Sequence, residues 1–116
     1  MISRVDGTVL AVIDEATIQK AADLLRDAAP GATVILFGSF ARGDPGPDSD
    51  LDFLVVEPRV DSQVDEMVRL RDVLRPLRVP ADVLVVSEER FGRWSDAPGS
   101  VYYEAAHEGR VFHAVA

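Results

Sequence analysis

Three short apolar runs, each bounded by Gly, Pro or charged residues, constrain the fold of this chain more than any other feature. They cover Thr33–Phe37, 51–56 and 81–86. Apart from one Asp near the start of each of the last two, the runs contain only apolar and β-branched residues, which is typical of strands buried on both faces of a sheet. We therefore expect a sheet covered by other structure on both sides.

Of two longer segments with helical periodicity, one precedes the first run and the other lies between the second and third runs. The first is predicted to begin after Asp14, a good N-cap residue, and to end at Pro30 and Gly31. The second covers about 62–75. The apolar faces expected for the two helices are Ile18, Ala21, Leu25 and Ala28 in the first, and Val64, Met67, Val68, Leu74 and Leu77 in the second.

Shorter helices are predicted after the third run. Ser87 is a candidate N-cap for a helix over Glu88–Trp94, and a last helix covers about 100–108. Residues 110–113 form a candidate edge strand. Strands that alternate with helices in this way predict an α/β fold, in which helices are layered on a sheet.

Length and composition exclude several classes of site. The 116 residues predict a single domain over 1–116. No Cys is present, so the chain has no disulfide framework, thiolate nucleophile or Cys-based zinc site. Two His are too few for a His-rich metal site.

The charge balance bears on the partners of the chain. Twenty Asp and Glu face twelve Lys and Arg, which gives a net charge of −8. This is the opposite of the basic footprint of a nucleic-acid-binding protein, and it disfavours polybasic membrane docking. No apolar run approaches the roughly 20 residues of a membrane-spanning helix. The first 16 residues lack the pattern of a signal peptide, so we expect a cytoplasmic protein.

The end of the first strand is a candidate anion site. Gly38 allows a ligand to approach the backbone closely, and Ser39 opens a short helix whose first N–H groups are free to bind an anion such as phosphate. The Ser39 hydroxyl can donate to a phosphate oxygen, and Arg42 can add positive charge. On its own, the Gly-Ser pair is more typical of a simple turn between a strand and a helix.

Three Asp residues form a second candidate cluster. Asp50 and Asp52 stand two positions apart at the start of the second strand. Alternate residues of a strand point to one face, and their Cα atoms are about 6.6 to 6.8 Å apart. Asp82 opens the third strand in the same way. If the two strands are neighbours, the three carboxylates converge, and a divalent metal such as Mg²⁺ is their natural counterion. An Asp-x-Asp pair alone is also typical of charges in solvent.

Together these motifs resemble the signature of the nucleotidyltransferase superfamily, which shares the palm of DNA polymerase β. The resemblance lies in the Gly-Ser pair, the spacing to Asp-x-Asp and the third Asp one helix later. The tail over 99–112 is similar to the ending of small members, so the resemblance covers nearly the whole chain. It implies a palm-like mixed β-sheet flanked by helices. The compact form resembles the minimal nucleotidyltransferases, many of which are antitoxin partners of HEPN-domain proteins.

The resemblance also implies an activity. Gly38 and Ser39 would bind the triphosphate of an NTP, which we expect to be ATP. Asp50, Asp52 and Asp82 would be the catalytic residues and would hold two Mg²⁺ ions, with Asp82 also helping to activate the acceptor hydroxyl. The reaction would be attack of that hydroxyl on the α-phosphate, with release of pyrophosphate.

The acceptor is expected to come from another chain, because the palm-like module accounts for the 116 residues. A hydroxyl of a HEPN toxin is the leading candidate, with the chain acting as an antitoxin. Two alternatives stay open: a binding module that masks its partner without catalysis, and a small-molecule nucleotidyltransferase of the aminoglycoside type. The oligomeric state also stays open. So does the direction of Arg71, which falls on the apolar stripe of the second long helix.

Overall fold

The structure is a computed structural model that describes residues 13–112. His113, included in the predicted edge strand, lies outside the described residues. Within them, no helix is both long and apolar enough to cross a membrane. The elements in chain order are α1 (Glu15–Ala28), β1 (Thr33–Phe37), α2 (Ser39–Arg42), β2 (Leu51–Glu57), α3 (Gln63–Val73), a 3-10 turn (Arg75–Leu77), β3 (Ala81–Ser87), α4 (Glu88–Trp94), α5 (Val101–Glu108) and β4 (Arg110–Phe112).

The four strands form one mixed sheet in the order β3-β2-β1-β4. Strand β1 runs antiparallel to both β2 and β4, whereas β2 and β3 run parallel. The parallel pair is joined by α3, as expected for a connection that must return to the same end of the sheet. The predicted α/β architecture, a mixed sheet flanked by helices, is confirmed.

Side chains of alternating strand positions enter two separate apolar clusters, one on each face of the sheet. One cluster packs strand residues such as Phe53 and Val83 against α1 and α3. The other packs Leu54 and Val86 against α4 and α5. Because successive strand residues point to opposite faces, Asp52 and Asp82 share the face of Leu54 and Val86. Their carboxylates therefore lie on the side of the sheet covered by α4 and α5.

Side-chain caps explain where most of the helices begin. Asp14 accepts a hydrogen bond from the Thr17 N–H at 2.9 Å, and Ser87 accepts one from the Arg90 N–H at 3.2 Å. Ser62 and Ser100 cap α3 and α5 in the same way. The predicted helix starts are confirmed to within one residue because they depend on such local bonds.

The predicted apolar face of α3 is partly wrong. Val64 and Val68 are 70% and 61% exposed, whereas Leu70, which the periodicity did not single out, is fully buried together with Leu74. At 3.6 residues per turn, Val64 and Val68 lie about 120° and 160° around the helix from Leu70. Only one of two overlapping apolar stripes can face the sheet, and the larger Leu side chains occupy that position.

Candidate functional site

The turn between β1 and α2 brings Gly38 against Asp52. Gly38 has φ 81° and ψ −159°, a conformation that is essentially restricted to glycine. A Cβ atom at this position would lie 2.6 Å from Oδ2 of Asp52. Ser39, the first residue of α2, directly follows this contact. The first N–H groups of a helix have no partner within it, so the start of α2 presents backbone donors beside the Asp52 carboxylate.

Asp52 and Asp82 are partners across the parallel strands. The register pairs Leu51 with Ala81 and Asp52 with Asp82, and on the other side of β2 it pairs Asp52 with Phe37. Neighbouring strands lie about 4.8 Å apart, and paired residues share a face. The structure thus brings the two predicted carboxylates together at one end of the sheet.

Asp50 lies just before β2 and is exposed. Its charge nevertheless acts on Asp52. Burial raises the pKa of Asp52 above its usual value, and the negative charges of Asp82, Asp50 and Glu104 raise it further, in that order, while Arg42 lowers it. The charges of Asp50 and Asp82 therefore both act on Asp52.

Asp82 has a cationic partner. Nη2 of Arg71 in α3 lies 3.3 Å from Oδ1 of Asp82, and both side chains are about half exposed. The sequence had left the direction of Arg71 open, and the structure shows that it reaches toward the carboxylate cluster.

Arg42, the predicted phosphate-binding cation, is shared between two carboxylates. Its Nη1 lies 3.2 Å from Oε2 of Glu104, and its Nε lies 3.5 Å from Oδ1 of Asp44. Glu104 was missed at the sequence level. It stands 62 positions from Arg42, on a helix whose sequence suggests only packing, so no local signal connects the two.

The donor set fits a divalent cation. Among residues 13–112, no three His, Cys, Asp or Glu side chains form a ready-made metal centre. The paired Asp52 and Asp82, with Asp50 nearby, nonetheless offer the carboxylate oxygens that Mg²⁺ prefers. The pKa of Asp52 is raised first by burial and then by the neighbouring carboxylates, whose negative charge a divalent ion would neutralise.

A groove of about 480 Å³ opens along the loop between α2 and β2. Its wall includes Phe40, which follows Ser39, and Ser49, which precedes Asp50. Pro80, two residues before Asp82, also lines it. The rest of the lining is Ile13, Pro45, Gly46, Pro47 and Asp48, and the surface is mainly apolar. The groove is adjacent in sequence to Ser39 and Asp50, but neither residue lines it. Ile13 and Phe40 pack against the cluster on the α1 and α3 face, whereas Asp52 and Asp82 point to the other face.

The chain is similar to known proteins over most of its length. The sequence model of the nucleotidyltransferase domain matches residues 18–111, a range that contains every residue of the candidate site. A protein of Methanocaldococcus jannaschii named "Putative protein adenylyltransferase" is 36% identical over 84 residues, which cover 69% of this chain and 76% of that protein.

Two solved structures share the fold. A crystal structure of a "putative nucleotidyltransferase" from Sulfolobus solfataricus has a TM-score of 0.57 and 22% identity, covering 84% of this chain and 77% of that one. A complex of a tri-AMPylated Shewanella oneidensis HEPN toxin with an MNT antitoxin has a TM-score of 0.50 and 19% identity, covering 89% and 74% of the two chains. At these identities the likeness is one of fold.

Proposed function

Because this chain belongs to the nucleotidyltransferase domain family, we propose that it transfers AMP from ATP to a hydroxyl group of a partner protein. The observation that carries the proposal is the meeting of Asp52 with both Gly38 and Asp82. One carboxylate thereby lies between the start of α2, where a phosphate would bind, and the second carboxylate, where an acceptor would be activated.

The nucleotide would bind at the start of α2. Gly38 leaves space for the Asp52 carboxylate beside the start of α2, and the Ser39 hydroxyl donates to an oxygen of the triphosphate. Arg42 supplies positive charge from the last turn of the same helix. Because its guanidinium already contacts Glu104, that contact would orient Arg42 or be exchanged for the phosphate.

The acidic residues would act on the acceptor side. Asp50, Asp52 and Asp82 would hold two Mg²⁺ ions, which when bound supply positive charge to the phosphate oxygens and to the attacking oxygen. A carboxylate oxygen of Asp82 accepts the proton of the acceptor hydroxyl. The new bond joins that oxygen to the α-phosphorus, and the bond to pyrophosphate breaks.

The acceptor is proposed to be a HEPN toxin, for which this chain would be the antitoxin. Support comes from the M. jannaschii relative, named for protein adenylylation, and from the fold shared with an antitoxin bound to an AMPylated HEPN toxin.

A second candidate is an antitoxin that masks its partner without catalysis. Val64 and Val68 favour this reading, because two large apolar side chains remain mostly exposed on one side of α3. The two candidates differ in whether neutralisation of the toxin requires the acidic residues.

The decisive experiment is mass spectrometry of a HEPN partner co-expressed with the wild type or with variants. We expect AMP on the partner with the wild type and a loss of roughly 100-fold or more in the transfer rate with Asp52→Asn. Asp72→Asn, which removes an exposed carboxylate of α3, is the matched control and should transfer normally. AMP transfer at the wild-type rate by an Asp52→Asn/Asp82→Asn variant would contradict the proposal. Neutralisation without transfer by that variant would favour masking.

A further inference from the structure

Arg71 contacts the candidate site from the opposite side of the sheet. Helix α3 packs on the face of α1 through Leu70 and Leu74, whereas Asp82 occupies a strand position that points to the other face. Strand β3 is an edge strand of the sheet. The Arg71 side chain therefore extends past this edge to bring Nη2 within 3.3 Å of Oδ1 of Asp82.

The surroundings of Asp82 give this contact a specific electrostatic consequence. Asp52 stands in register with Asp82, and Asp50 and Glu104 also act on Asp52 with negative charge. The nearby cation Arg42 is already shared between Glu104 and Asp44. Among the described residues, Arg71 is the cation that forms an ion pair with Asp82.

We infer that Arg71 is a positioning residue of this site: its guanidinium holds the Asp82 carboxylate beside Asp52 and offsets the repulsion between them. The ion pair and the repulsion that it offsets are properties of the folded chain alone. An effect of Arg71 on turnover rests on the proposed AMP transfer.

A matched control lies close by. Arg75 forms an exposed ion pair with Asp72, with 2.8 Å between Nη2 and Oδ1 and no carboxylate pair to support. Exposed ion pairs usually contribute little to stability, so Arg75→Ala gives the expected effect of an ordinary surface pair. A loss of stability in Arg71→Ala that exceeds the loss in Arg75→Ala reflects the repulsion between Asp52 and Asp82.

The first measurement is the melting temperature of metal-free protein, in the wild-type and Asp52→Asn backgrounds. We expect Arg71→Ala to lower it by about 2 to 4 °C in the wild-type background and Arg75→Ala by less than about 1 °C. In the Asp52→Asn background, the Arg71→Ala shift should fall by at least half, because the repulsion that Arg71 offsets is gone. Equal shifts for Arg71→Ala and Arg75→Ala, or an unchanged Arg71→Ala shift with Asp52→Asn, would overturn the inference.

The second measurement is AMP transfer. Arg71→Ala should lower kcat roughly tenfold and change KM for ATP less than twofold, since Arg71 contacts Asp82 and not Ser39 or Arg42. Arg71→Lys, which keeps the charge, should recover a large part of kcat. Unchanged kcat in Arg71→Ala would overturn the positioning role. Absence of transfer by the wild type would instead reject the proposed function, and the melting series would still decide the role of Arg71.

Discussion

The Asp52 carboxylate rests against the backbone of Gly38, so closely that Oδ2 lies 2.6 Å from the position of a Cβ at residue 38. This contact links the end of β1 to the start of β2, two strands that pair antiparallel. Any side chain at residue 38 would displace the carboxylate that also stands beside Asp82. The turn between β1 and α2 and the acidic cluster are thus one structural unit.

Substitution of Gly38 by Ala should therefore impair both stability and transfer. The φ of 81° with ψ of −159° is strained for any residue with a Cβ, at a cost of about 1 to 3 kcal/mol. The new methyl group also pushes the Asp52 carboxylate away. We expect urea denaturation to show the destabilisation, and AMP transfer per folded molecule to fall by about tenfold or more.

Gly99→Ala separates the two effects. Gly99 also has a positive φ, 91°, but a Cβ there would meet nothing within 4 Å. We expect a loss of stability with transfer per folded molecule largely retained. Equal losses of transfer in the two variants would show that backbone strain, and not contact with Asp52, explains the effect at Gly38.

Glu104→Gln should lower the pKa of Asp52. Glu104 is one of three carboxylates whose negative charge raises that pKa, after burial, which is the largest cause. Removing its charge should move the Asp52 pKa toward its ordinary 3.8 without reaching it, because burial, Asp82 and Asp50 remain. Carboxyl carbon NMR titration of metal-free protein measures this, and Glu108→Gln on the same helix is the control. An Asp52 pKa equally lowered by both variants would contradict a specific role for Glu104.

Stability should depend on pH through Glu57 and Glu66. Burial, followed by the hydrogen bond and charge of Glu66, raises the pKa of Glu57 from 4.5 to about 7. The folded chain then binds more protons than the unfolded chain between these values, so the free energy of unfolding decreases as pH rises through this window. A hydrogen bond from Arg69, and to a smaller extent one with Glu57, lowers the pKa of Glu66 from 4.5 to about 2. The stability that ionised Glu66 contributes is therefore lost as pH falls from 4.5 toward 2.

Glu57→Gln tests the upper window. Gln cannot ionise, so the decrease in the free energy of unfolding between pH 4.5 and 7 should become shallower than in the wild type. Urea denaturation over a pH series measures both slopes. Asp27→Asn, at an exposed position of α1, should leave the slope unchanged. Parallel slopes for Glu57→Gln and the wild type would rule out Glu57 as the titrating group.

Truncations on α3 should distinguish its buried face from its exposed one. Leu70 is fully buried, and Leu70→Ala should cost about 2 to 5 kcal/mol of stability. Val64 is 70% exposed on the same helix, and Val64→Ala should change stability by less than about 0.5 kcal/mol. The free energies from urea denaturation check this, and similar costs at both positions would contradict the packing of α3.

Features that depend on neighbouring residues could be predicted from the sequence. Strands β1, β2 and β3 follow from continuous apolar runs, and the helix starts follow from Asp14 and Ser87, because capping bonds join residues three positions apart. The candidate site residues were also predicted from local patterns. A Gly-Ser pair at a strand end and an Asp at a strand start can each be recognised from the few residues around them.

Relations between distant segments required the folded chain. The sequence could not say that β2 and β3 pair with Asp52 opposite Asp82, because a shift of one residue would turn either side chain to the other face. It could not choose Leu70 over Val64, since each lies on a different apolar stripe of α3. Nor could it bring Glu104 to Arg42 or Arg71 to Asp82. Local propensity determines where the helices and strands form. Which polar side chains meet at the end of the sheet is determined by how all of these elements bury their apolar faces together.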